Sequence, residues 1–168
     1  MAIRSTEALV LDAVMTRLQT GVTGLGAQTI IAVGETFYPP RRGVGQILCE
    51  VSKPTVIQRG HGGHAFCEAV TLRIALVMNT PNVEVADVHI PAKQLSERMN
   101  QLQKRLIGYD CGVDDDGDVV LNPPLFCIQG PGEFHVAEAD KVFAQGMFAT
   151  WTGQRWRNVT QFRDESND

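Results

Sequence analysis

The longest regular alternation of apolar and polar positions runs from Cys67 to Met78. Large apolar side chains occupy every second position on one face, at Val70, Leu72, Ile74, Leu76 and Met78. A period of two predicts a β-strand with one face packed on a core. At about 3.3 Å per residue this strand spans roughly 40 Å, which is long for a small domain. We therefore expect part of it to extend past the body of the domain.

The segment before this strand has the composition of an antiparallel partner. Gly45 to Val51 and Pro54 to Arg59 are strand-like, with a break near Ser52. The segment from Gly60 to His64 is rich in glycine and histidine, which is typical of a flexible tip. The simplest arrangement is one long protruding hairpin, Gln46 to Met78, that folds at this tip.

Two segments show the period of an amphipathic helix. Ser5 to Gln19 begins at a residue that suits a helix cap. Pro91 to Ile107 carries the clearest apolar stripe, formed by Leu95, Met99, Leu102 and Leu106. We predict that this second stripe packs on the apolar face of the long strand.

The remaining strand signals are Thr29 to Val33, Leu125 to Gln129 and the long alternating segment Lys141 to Trp151. The chain is polar from Gly153 onward, so we predict one domain over residues 1–152 and a polar tail over 153–168. Together these elements predict an α+β fold. Its antiparallel or mixed β-sheet would carry a long protruding hairpin and be flanked by the two amphipathic helices.

Composition excludes some classes of protein. The chain has 168 residues, of which 43% are hydrophobic, as in ordinary globular domains. Its net charge of −4 argues against tight phosphate binding, although DNA can still pass through an acidic channel. No segment approaches the roughly 18 apolar residues of a membrane span, and the N-terminus lacks the apolar run of a signal peptide. We therefore expect synthesis in the cytosol and no membrane contact.

His61, His64 and Cys67 form the strongest metal-like pattern, since imidazole nitrogen and thiolate sulfur are zinc ligands. A structural zinc site usually has about four ligands, and a fourth is not nearby in sequence. An exposed loop is the simpler interpretation, so we predict no metal and no cofactor. A small zinc- or thiol-dependent enzyme that uses these three residues stays open as an alternative of another class.

The acidic segment Asp114 to Asp118 only partly matches a calcium loop. With Gly117 at the sixth position, Gly112 and Pro123 stand first and twelfth, where Asp and Glu are needed. A solvated turn is therefore predicted. The four cysteines have no paired spacing and no sign of a base, so we predict reduced, inert thiols and no enzymatic activity.

The order of elements resembles that of the tail-terminator proteins of long-tailed bacteriophages. The resemblance rests on the pattern of Ser5–Gln19, Cys67–Met78, Pro91–Ile107 and Lys141–Trp151, and it covers most of the chain from Arg4 to Trp151. It implies an α+β subunit that forms a hexameric ring, caps the tail tube and joins it to the head-side neck. Another head-tail connector, a stopper or a tail-tube subunit stays open as an alternative.

The resemblance also implies location and partners. The protein would belong to the virion tail or neck, after assembly in the host cytoplasm. Its partners would be further copies of itself, the tail-tube subunit and a neck or head-completion protein, with double-stranded DNA in the lumen. Exposed strand edges and apolar patches usually mark interaction surfaces. The candidate contact residues are Val56, Ile57, Arg59, His61, His64, Phe66, Trp156 and Phe162.

Overall fold

The computed structural model describes residues 5–19, 29–32, 45–81, 89–137 and 142–158. The helices in these ranges are α1, Thr6–Gln19, and α2, His89–Leu106, with a 3-10 segment at His61–Gly63. The strands are β1, Thr29–Ala32; β2, Gly45–Val51; β3, Thr55–Arg59; β4, Ala65–Pro81; β5, Phe126–Ala137; and β6, Val142–Asn158. The predicted α+β class is confirmed. None of the described helices is long and apolar enough to span a membrane.

The described strands form one six-stranded sheet in the order β1-β2-β4-β6-β5, and β3 pairs with β4. The β1–β2 pair is parallel. The other pairs are antiparallel. The sheet is therefore mixed, with β4 at its centre.

The pairing of β4 shows whether the predicted hairpin protrudes from the sheet. β2 pairs with its second half, up to Gly45 opposite Met78, and β3 pairs with its first half, where Arg59 is opposite Phe66. On its other side, β6 pairs with all 17 residues of β4. Because β4 has β6 beside it throughout, its first half is not a two-stranded arm. The protruding hairpin is not confirmed.

Three strands are longer than predicted, including β4, which begins at Ala65 and ends at Pro81. β6 continues past Trp151 to Asn158, so the predicted start of a polar tail at Gly153 is wrong for residues 153–158. The first residues of β4 supply the backbone partners there, and they pair with β6 whatever the polarity of its side chains. β5 runs past its predicted end at Gln129 and through Gly130, Pro131 and Gly132, because an edge strand with register shifts tolerates proline.

Both helices pack on one face of the sheet. The buried core combines α1 residues Val10, Val14 and Leu18 with the predicted α2 stripe, Leu95, Met99, Leu102 and Leu106. The sheet contributes the alternate β4 residues Val70, Leu72, Ile74 and Leu76. The predicted packing of the α2 stripe against this face is confirmed. Full burial of one such aliphatic side chain contributes about 1.5–3 kcal/mol before entropy.

The connection between α2 and β5 folds back on itself. Gly108, with a φ of 72°, follows the end of α2, and its N–H donates to Leu125 O at 2.8 Å. Leu121 N–H donates to Asp110 O at 3.0 Å, and Leu121 is buried in the core. The far end of this connection is the acidic turn, residues 114–118, and the ion pair of Asp114 with Arg155 places it near the end of β6.

Candidate functional site

Most of the predicted contact residues lie at one end of the sheet. We define the sheet tip as β3, residues 60–69 and residues 154–158. It contains seven of the predicted contact positions, namely Val56, Ile57, Arg59, His61, His64, Phe66 and Trp156. Phe162 lies outside the described residues. These seven positions therefore lie in adjoining segments of the sheet, which strand pairing rather than a free hairpin brings together.

β3 is an exposed edge strand. All five of its residues are exposed, and Val56 and Ile57 retain 52% and 50% of their accessible surface. Within the described part of the chain, β3 pairs only with β4. Its register shifts between Val56 and Gln58. The outer backbone groups of β3, together with two large apolar side chains, are thus presented to solvent or to a partner.

The predicted contact residues do not share one face. Arg59 lies opposite Phe66, and Phe66 lies opposite Arg157, so these side chains belong to the helix-covered face of the sheet. Trp156 lies opposite Cys67 on the other face and is 47% exposed. The tip therefore presents an edge at β3 and a separate aromatic side chain at Trp156.

The histidine and cysteine pattern is not gathered into a described metal site. His64 is exposed, whereas Cys67 is buried in β4, where its Sγ lies 3.6 Å from Gln154 Oε1. Burial, and secondarily the Glu68 carboxylate, raise the pKa of the Cys67 thiol. A raised pKa reduces the thiolate that a metal or a nucleophilic reaction needs. Among the described residues, no group of three or more His, Cys, Asp or Glu side chains is placed to hold a metal ion.

A buried polar cluster beneath the tip was not predicted. Thr6 Oγ1 donates to Glu68 Oε2 at 2.8 Å and accepts from Arg155 Nη1 at 2.9 Å. Arg155 Nη2 then donates to Asp114 Oδ2, also at 2.9 Å. We call these four residues the tip cluster. It joins α1, β4, β6 and the acidic turn through consecutive hydrogen bonds.

Local structure explains how the tip cluster forms. Ser5 Oγ accepts from the backbone N–H of Ala8, which starts α1 and puts Thr6 in its first turn. Glu68 and Arg155 are opposite each other in the β4–β6 register and share one face. Asp114 Oδ1 accepts from the N–H groups of Asp116 and Asp118, so its other oxygen is held toward Arg155.

The tip cluster gives the tip a fixed shape. Its guanidinium is shared between two elements, since Arg155 contacts both Thr6 and Asp114. Charge-assisted hydrogen bonds of this kind are stronger than neutral ones, and satisfied buried networks rigidify their surroundings. The exposed residues of the tip are thus carried on a rigid support.

One signal in the sequence points to the tip cluster. Glu68 has the same strand parity as Val70, so it belongs to the core face of the long strand. A carboxylate on a core face requires a buried cation or donor. Arg155 has the parity of Trp151 and lies opposite Glu68, and Thr6 bridges the two side chains by hydrogen bonds. The predicted tail boundary at Gly153 concealed this match.

A cavity of about 260 Å³ lies between the acidic turn and the end of β6. Its lining consists of Ala65, Asp118, Val119, Asn122, Trp156, Arg157 and Asn158. We call it the end cavity. It combines a cation, a carboxylate and two amides with the exposed side chains of Val119 and Trp156.

Comparisons with known proteins give no family assignment: no protein-family model matches the chain, and no curated protein matches it. Among the described residues, the sheet tip and the end cavity are surface features that combine exposed large apolar side chains with strand-edge backbone or charged groups.

Proposed function

We propose that the protein is a virion structural protein, a tail terminator that forms a hexameric ring at the end of a bacteriophage tail tube. The ring would stop tube polymerisation and join the tube to the head-side neck. The observation that carries this proposal is the exposed edge strand β3 with its apolar side chains Val56 and Ile57.

An edge strand of this kind favours assembly. Unpaired backbone groups beside large apolar side chains are a liability for an isolated protein, and they are usually covered or blunted. When a patch on one copy binds a different patch on the next copy, the contact repeats and can close into a ring. Such a ring covers β3 in every copy. The rigid support below the tip keeps the strand in a fixed orientation for this contact.

The charge of the chain is compatible with a DNA-containing lumen. The net charge of −4 disfavours tight binding to phosphates, so DNA can pass without being held. Arg155 at the tip already pairs with Asp114 and is not presented to nucleic acid. We infer further partners on the two sides of the ring, the tail-tube subunit on one and a neck or head-completion protein on the other.

The test uses purified protein and bare tail tubes assembled from the tube subunit of the same virus. Negative-stain electron microscopy is expected to show six-fold rings seated on one end of each tube. Tubes that are incubated with more tube subunit should stop growing at the capped end. A tube preparation without the protein is the control and should continue to grow.

Two results would count against the proposal. Rings that never bind tube ends would favour another ring component of the virion, such as a stopper in the neck. A protein that stays monomeric with tubes present, and leaves their growth unchanged, would exclude the ring itself. Light scattering across a range of protein concentrations distinguishes these two results.

A further inference from the structure

The end cavity lies beside an open stretch of the β6 backbone. Asn122 N–H donates to Gln154 O at 2.7 Å, and Gln154 N–H donates to Pro123 O at 3.1 Å. Residue 154 thus directs both backbone groups to this edge of β6. In an antiparallel sheet, alternate residues direct their backbone groups to the same edge. Those of Trp156 therefore face the edge beside the cavity, where no described strand pairs with β6.

The cavity has the chemistry of a short peptide site. Backbone groups at a strand edge bind an extended segment by adding it to the sheet, and neighbouring pockets select its side chains. Trp156 and Val119 offer apolar contact, whereas the exposed Asp118 offers a negative charge. At about 260 Å³ the cavity is small. Typical small-molecule pockets are about 300–1,000 Å³, so it suits one large side chain with its adjoining backbone.

The C-terminal residues of the chain have a matching composition. Residues 159–168 follow directly after β6 and contain one aromatic side chain, Phe162. Arg163 is complementary in charge to Asp118, which is exposed at the cavity. Asn158 itself lines the cavity. To enter the cavity of its own copy the segment would need a tight turn at residues 159–161, and these residues lack the glycine, asparagine or aspartate that such turns favour. A segment from a second copy needs no such turn.

We propose that the end cavity of each copy binds residues 159–168 of a neighbouring copy, which pair with the end of β6 as a short added strand. Phe162 contributes the apolar side chain that Trp156 and Val119 contact. The inference rests on the proposed ring, since a one-way exchange of segments repeats from copy to copy until the ring closes. It identifies the surface that receives the C-terminal segment.

Photo-crosslinking of the full chain tests this exchange. Benzoylphenylalanine replaces Val119 in unlabelled protein, which is mixed with nitrogen-15-labelled protein and irradiated. Mass spectrometry is expected to find crosslinks from position 119 to residues 159–168 of the labelled copy. Phe162→Asp in the labelled copy should reduce their yield at least about tenfold, in line with loss of an apolar anchor. Benzoylphenylalanine in place of Ile107, which is exposed and does not line the cavity, should not give them.

Three results of the crosslinking experiment would overturn the inference. Crosslinks from position 119 that stay within one copy, that reach other segments, or that are missing altogether would each exclude an exchanged C-terminal segment. Electron microscopy of the same sample separates this result from failure of the proposed function. Rings without the crosslink leave the terminator proposal standing, whereas the crosslink in a dimer without rings supports the exchange and contradicts the hexamer.

Discussion

Arg155 and Asp114 form a buried ion pair, with 2.9 Å between Nη2 and Oδ2 and side-chain exposures of only 5% and 9%. The pair connects the end of β6 to the acidic turn after α2. The Oγ1 atom of Thr6 accepts a second hydrogen bond from the same guanidinium, which brings α1 into the contact. Three segments that are distant in sequence are therefore held at the tip by one cation.

Removal of that cation is expected to destabilise the protein strongly. Arg155→Met leaves the Asp114 carboxylate buried without its counter-charge, and loss of one partner from a buried pair costs about 3–5 kcal/mol. Urea denaturation measures the free energy of unfolding. Arg59→Met, at the exposed end of β3, is the matched control and should change that free energy by less than about 0.5 kcal/mol. Equal stability of the two variants would show that the pair is dispensable.

Two buried thiols make stability depend on alkaline pH. Burial raises the pKa of the Cys49 thiol to about 12. Burial, with a smaller effect of the Asp110 carboxylate, likewise raises the pKa of the Cys111 thiol to about 12. The neutral thiol is thus favoured in the folded state. The stability that each neutral thiol contributes is complete below the pKa of about 8.5 in the unfolded state. It is lost as pH rises toward the pKa in the folded state.

Between about pH 9 and 12, each thiol should lower the free energy of unfolding by roughly 1.4 kcal/mol per pH unit. Because other groups titrate in this range, the measurement compares variants, under reducing conditions, by the slope of the free energy of unfolding against pH. Cys49→Ala should have a shallower slope than the parent protein. Val70→Ala removes buried apolar atoms without removing a titrating group, so it should be less stable with an unchanged slope. Parallel slopes for Cys49→Ala and the parent would contradict the prediction.

The sequence predicted the parts of the fold that depend on apolar periodicity. The stripes of both helices and the core face of β4 follow directly from the spacing of large apolar residues. Leu102 and Leu72 are in the core for that reason. The capping role expected for Ser5 is also confirmed by its hydrogen bond to Ala8.

The ends of strands were harder to predict, because backbone pairing decides them. Residues 153–158 of β6 are mostly polar, yet the first residues of β4 pair with them. The same error concealed the tip cluster, since Arg155 was assigned to a tail. The predicted end of β5 at Gln129 is also too early, because proline at position 131 is tolerated at the outer edge of the sheet. Fold class was therefore predictable, whereas the detailed construction of the tip was not.

The phenyl ring of Phe148 leaves no room for a side chain at Gly132. A Cβ atom at this position would lie 2.8 Å from Cζ of Phe148, and the Phe148 ring in turn lies 4.9 Å from the Arg73 guanidinium carbon. Gly132→Ala should displace the phenyl ring of Phe148 and lower the free energy of unfolding by about 1–3 kcal/mol, as overpacking usually does. Thermal denaturation provides the measurement.

Gly130, on the same strand, is the control for Gly132. A Cβ atom there meets nothing within 4 Å, so Gly130→Ala should be close to neutral. Phe148→Leu shortens the obstructing side chain and should recover most of the stability lost in Gly132→Ala. If the double variant were as unstable as Gly132→Ala alone, the contact with Phe148 would not be the cause.

Because the edge at β3 is exposed, we predict that a substitution there blocks assembly and leaves folding intact. Ile57 is half-exposed and lies outside the core, so Ile57→Lys should change the free energy of unfolding by less than about 0.5 kcal/mol. A lysine on an edge strand opposes pairing with a neighbouring chain, because its charge would have to be desolvated in the contact. The folded variant should therefore fail to form rings or to cap tail tubes.

Ile107→Lys is the matched control, since Ile107 is an isoleucine of similar exposure at the end of α2. It should fold, form rings and cap tubes like the parent protein. Circular dichroism verifies folding, and light scattering with negative-stain electron microscopy measures assembly. If Ile57→Lys folds and caps tubes with normal affinity, β3 is not the contact strand. If both lysine variants fail to assemble, the added charge acts without regard to position. Failure of Ile57→Lys alone places the subunit contact at the β3 edge, because the two variants differ only in where the same side chain stands.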